Sequence, residues 1–60
     1  MVTADELREQ GVKQYMQGDH ELAAETFSAA AKQYEDDGAA DMVAEMQVNQ
    51  GLALHSMGEH

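Results

Sequence analysis

The chain has 60 residues, with twelve Asp or Glu against three Lys or Arg and a net charge of −9. That balance offers no basic footprint to displace counterions from nucleic-acid phosphates, and it disfavours docking on an anionic membrane. There is no cysteine, so neither a disulfide nor a Cys-x-x-Cys zinc site can form, and ten alanines dilute a hydrophobic fraction of 43%. Acids at Asp5 and Glu6 precede any apolar run, unlike a secretory leader. No apolar stretch approaches the ~20 residues of a membrane span. A single soluble, cytoplasmic domain over 1–60 is the expectation, suited by its acidity to basic or amphipathic protein partners.

The first helix is predicted over 4–17. Thr3 and Glu6 have the spacing of a capping box, and Asp5 and Glu6 meet the positive end of the helix dipole. Gly18 closes it, because a left-handed residue after a helix costs glycine little. Asp19 is placed to cap a second helix over 20–37, whose apolar face reads Ala23, Phe27, Ala30 and Tyr34. Those steps of four, three and four residues match a helical period. Gly38 stops it. A third helix over 39–57 puts Val43, Met46, Gln50, Leu54 and Met57 on one side, and Gly58 ends it. The fold class is therefore all-α, with no strand.

An internal repeat organises these helices. Gln10-Gly11, six residues, then Gly18-Asp19-His20 recurs forty residues later as Gln50-Gly51, six residues, then Gly58-Glu59-His60. Periods of 20–50 residues built from helix pairs mark solenoids. The pattern Leu7-x2-Gln10-Gly11-x2-Gln14, followed by Ala23-x3-Phe27 and Ala30, resembles the tetratricopeptide repeat. Gln47-x2-Gln50-Gly51-x2-Leu54 begins a second copy. The 40-residue period and the missing proline resemble the lengthened repeats of kinesin light chains and G-protein-signalling modulators. Gln10, Gln14, Gln47 and Gln50 stand where that family carries large apolar residues, which weakens the core.

The resemblance implies a helical hairpin plus a third helix, a fragment of a right-handed α-solenoid. Repeat 1 spans about 4–38 and the first half of repeat 2 about 39–60, as the N-terminal part of a longer repeat protein. Leu7, Gly11, Gly18, Ala23, Phe27, Ala30, Gly51 and Gly58 are its structural positions. Gly11 and Gly51 remove a side chain where paired helices approach most closely. The resemblance further implies a groove lined by the first helix of each repeat, which binds a peptide or helix. Its positions here are Arg8, Glu9, Val12, Tyr15 and Met16, then Val48, Asn49, Leu52, His55 and Ser56. The Asn49 amide is suited to clamping a peptide backbone, and Arg8 to holding a carboxylate.

Other chemistries fit less well. No phosphate loop, nucleophile elbow or paired-His motif is present. His20, His55, His60 and Glu59 read as turn and helix-end residues ahead of a metal site, and Glu35-Asp36-Asp37-Asp41 lacks calcium-loop spacing. Met42, Met46 and Met57 read as core ahead of an adaptable binding surface. The expectation is a non-enzyme with no cofactor and no metal: a protein-interaction scaffold or, alternatively, a structural self-assembly segment. Because about three repeat units are usually needed for stability, the third helix is expected to expose Met46, Leu54 and Met57 and to drive formation of a homodimer.

Overall fold

The computed structural model describes residues 2–58, with α1 at Ala4–Met16, α2 at His20–Asp36 and α3 at Ala40–Gly58. No strand occurs among the described residues. Each predicted boundary is within one residue. Gln17 and Asp37, expected as last helical residues, are instead the half-in caps of α1 and α2. The turn that Gly58 opens with Glu59 and His60, and the Met57 side chain, lie outside the described residues.

The capping box at the start of α1 forms in both directions. The Glu6 amide donates to Thr3 Oγ1 at 3.2 Å, and the Thr3 amide donates to Glu6 Oε1 at 2.9 Å. The two reversals are built alike. Gly18 has φ +89° and Gly38 has φ +77°, a region that L side chains rarely enter. The Gly18 and Asp19 amides donate to the Tyr15 and Gln14 carbonyls, and the Gly38 and Ala39 amides to those of Glu35 and Tyr34. Both are Schellman closures, which satisfy carbonyls that a helix end leaves open.

Asp19 does not cap α2 with its side chain. Its own amide is taken by the turn that closes α1, and its ψ is 65°, whereas the extended Thr3 has ψ 164°. That backbone swings the carboxylate away from the free amides of α2, so only the Asp19 carbonyl joins the helix, accepting from the Ala23 amide at 2.8 Å.

The core is centred on α2, which packs against both α1 and α3 while those two scarcely meet. Ala23, Phe27, Ala30 and Tyr34 are buried as the periodicity predicts, together with Ala24, and they meet Ala4 of α1 and Met46 and Ala53 of α3. The predicted face of α3 needs rotating. Met46 is fully buried rather than exposed, because α2 covers it, while Leu54 is 48% exposed and Ala53 takes the inward place. At roughly 100° per residue, position 53 lies about 20° round from Met46 and position 54 about 80°.

The expected weakness at Gln14 is offset by a partner. Thr26, itself buried, donates to Gln14 Oε1 at 2.6 Å, so the amide enters the α1–α2 interface with its oxygen satisfied. A second polar tether runs from the Tyr34 hydroxyl to Asp5 Oδ1 at 2.5 Å. Burial first, and then this bond to a carboxylate, push the Tyr34 hydroxyl up to about 12.

Candidate groove between the first and third helices

Since α1 and α3 lean on the same central helix without closing on each other, a trough runs between them. Its floor is the Phe27 ring and its walls are Val12 and Tyr15 of α1 and Asn49 and Leu52 of α3. Arg8, Glu9, Val12, Glu45 and Asn49 line an adjoining hollow. The shared residues Val12 and Asn49 make the two continuous. Val12 and Leu52 are 43% and 53% exposed, so two apolar side chains face each other across an open cleft.

One end of the trough is bridged. The Tyr15 and Ser56 hydroxyls lie 3.1 Å apart, a hydrogen bond that spans α1 and α3. The Tyr15 ring also rests on His20, with centroids 4.9 Å apart and planes tilted by 41°. At the other end Arg8 lines the adjoining hollow together with Glu9 and Glu45. Its Nε is buried and has no hydrogen-bond partner among the described residues.

Of the residues expected in the groove, Arg8, Glu9, Val12, Tyr15, Asn49 and Leu52 are brought together, and Ser56 joins them through Tyr15. Met16, Val48 and His55 are not. Met16 is 80% and Val48 62% exposed, and neither they nor the exposed His55 line either hollow. Val48 and His55 lie roughly 70–90° round α3 from the midline of Asn49 and Leu52, and Met16 is the last residue of α1, one turn beyond Val12. Phe27 and Glu45 are the additions. Phe27 reads from its sequence spacing as core alone, and Glu45 is announced only by standing one helical turn before Asn49.

The structural positions divide similarly. Leu7 packs on the core, Ala23, Phe27 and Ala30 are buried, and a Cβ built on Gly11 would stand 2.7 Å from Phe27 Cε1. Gly51 is the correction: a Cβ there would meet nothing within 4 Å. No described helix crosses α3 at that point, so the close approach expected there does not occur within this chain.

Among the described residues, no group of three or more His, Asp and Glu is arranged to hold a metal ion, and no helix is long and apolar enough to cross a membrane. No family model, no curated protein and no solved structure matches the chain.

Proposed function

We propose that this chain is a protein-interaction module that holds a peptide or helix in the trough between α1 and α3. The observation that carries this is the apolar cleft itself: Val12 and Leu52 stand half-exposed over the Phe27 ring, with the Asn49 amide beside them. An apolar hollow with a few convergent polar groups is the usual form of a recognition site. An apolar anchor on the partner enters over Phe27, and Asn49 engages the partner's backbone with its donors and acceptor. Glu9, Glu45 and the net charge of −9 favour a basic or amphipathic partner.

The reading as one and a half repeats of the tetratricopeptide type, in a soluble cytoplasmic setting, rests on the 40-residue recurrence. The packing of Phe27 on Gly11 supports it. The role is that of a scaffold rather than of an enzyme. A peptide array probed with the 60-residue chain tests the proposal. Val12→Glu and Asn49→Ala are expected to weaken capture of the best peptides at least tenfold, about 1.4 kcal/mol, with helicity unchanged. Equal capture by wild type and both variants would remove the trough as the site.

A further inference from the structure

The trough is not alike along its length. The two short reversals turn α1 and α3 the same way, so one direction serves for both. In that direction the charged residues come first and the apolar ones second. Glu9 stands three residues before Val12, and Glu45 stands four before Asn49 and seven before Leu52. Beyond the apolar hollow the Tyr15–Ser56 contact crosses from wall to wall, so the end with the glutamates is the open one. Arg8 shares the charged hollow, but its Nε is buried, and its charge acts on the Tyr34 hydroxyl that bonds Asp5. With Asp5 included, three carboxylates at this end stand against one guanidinium. Glu9 and Glu45 are exposed and make no hydrogen bond or ion pair with another described residue.

We propose that the trough takes an extended peptide segment in which an apolar residue and a lysine or arginine are separated by a single residue, the apolar one over Phe27 and the basic one at Glu9 and Glu45. This rests on the trough being a binding site, and adds the chemistry and spacing of its occupant. Charge sets the sign of the second residue, since an acidic one would meet both glutamates and the −9 of the chain. Asn49 sets the form of the segment. It lines both hollows, at the step between them, and its side chain offers donors and an acceptor. Extended chain brings free backbone groups to that step, whereas a helix has used most of its own internally. The extended form in turn sets the spacing. At 1.5 Å per residue, the middle of the apolar hollow lies about 7–8 Å along the helix axes from Glu9 and Glu45. Alternate side chains of an extended segment share a face and stand ~6.6 Å apart. The residue between them points out of the trough and leaves its backbone over Asn49.

Titration of the 60-residue chain with capped peptides, followed by its amide resonances at about 0.01 M salt, tests this. The probes are short serine–alanine peptides with one leucine and one lysine, the lysine one, two or four positions from the leucine and on either side of it. With the lysine two positions away, one of the two orders is expected to bind about fivefold more tightly than its glutamine counterpart. Lysine at the next position is expected to give no such gain. Glu9→Gln with Glu45→Gln is expected to abolish the gain and leave the glutamine peptide's affinity and the helical dichroism unchanged. The decisive protein is Glu9→Lys with Glu45→Lys, expected to transfer the gain to the peptide with glutamate in place of lysine. A gain equal at every spacing, or larger at four positions as a helical partner would give, would overturn the proposal. So would one that survives the double glutamine variant. Leucine peptides that bind regardless of lysine, and are lost on Val12→Glu, would overturn it while leaving the trough as a site. No binding by any leucine peptide at about 5 mM would remove both.

Discussion

Gly11 and Gly51 occupy equivalent places forty residues apart, yet their surroundings are opposite. At Gly11 an added methyl would stand 2.7 Å from the ring of a buried phenylalanine, and at Gly51 it would meet open space. Alanine ordinarily improves a helix interior over glycine by roughly 0.5–1 kcal/mol, while overpacking a core costs about 1–3 kcal/mol. Gly11→Ala is therefore expected to lose about 1 kcal/mol or more, and Gly51→Ala to gain about 0.5–1. Urea melts of dilute, monomeric protein read both, and changes of the same sign would contradict the packing described. Tyr34 gives a second residue-scale test. Its hydroxyl is pushed from the ordinary 10 up to about 12 in the folded chain, by burial and then by the bond to Asp5. Between those values the unfolded chain sheds this proton while the folded chain keeps it, so stability is full below pH ~10 and falls as pH rises toward 12. Tyr34→Phe is expected to cost about 1 kcal/mol at neutral pH. Its deficit against the wild type then narrows above pH ~10, as followed by unfolding midpoints across that range.

The same contrast appears between the starts of two helices. Thr3 accepts from an amide of α1 and receives Glu6 in return, whereas the Asp19 side chain bonds no amide of α2. Thr3→Ala is expected to cost about 1 kcal/mol, and Asp19→Ala only the few tenths of its dipole interaction. Chemical denaturation of the two variants side by side checks this. What was legible in the sequence at this scale follows from how local the chemistry is. A capping box, a left-handed glycine and a Phe27 stripe of period 3.6 act within one or two turns, so all three helices and both reversals can be read directly. The rotation of α3 cannot. From Met46 onward the polar residues Gln47, Asn49, Gln50, His55 and Ser56 are spread round the helix rather than gathered on one face, so the phase is set by how Met46 and Ala53 fit onto α2. The groove is legible where spacing alone decides it, at Arg8, Val12, Tyr15, Asn49 and Leu52. His55 sits on the far flank of α3 because three residues on from Leu52 the helix has turned roughly 60° further from Asn49, and Met16, at the very end of α1, lines neither hollow. Gln14 reads as a flaw until Thr26 arrives from the next helix to satisfy it.

At the scale of the molecule the chain is a slab of 37 × 21 × 12 Å carrying nine net negative charges. Repulsion across those dimensions is largely screened at physiological ionic strength, where the screening length is ~8 Å, and largely unscreened at 0.01 M salt, where that length is ~30 Å. Raising NaCl from about 0.01 to 0.15 M is expected to raise the unfolding free energy by on the order of 1 kcal/mol, read from urea midpoints. A midpoint that does not move would show the acids to be too dispersed to matter. The central seat of α2 has a consequence in time. Its contacts run to the helix before it and to the helix after it, and apart from the Tyr15–Ser56 hydroxyl contact those two scarcely touch each other. Either outer helix can detach while α2 keeps its other partner, but α2 can be laid bare only when both have gone. Deuterium is therefore expected to enter α1 and α3 through two separate partial openings. The amides around Phe27 and Ala30, last to exchange, are expected to report the global free energy of unfolding.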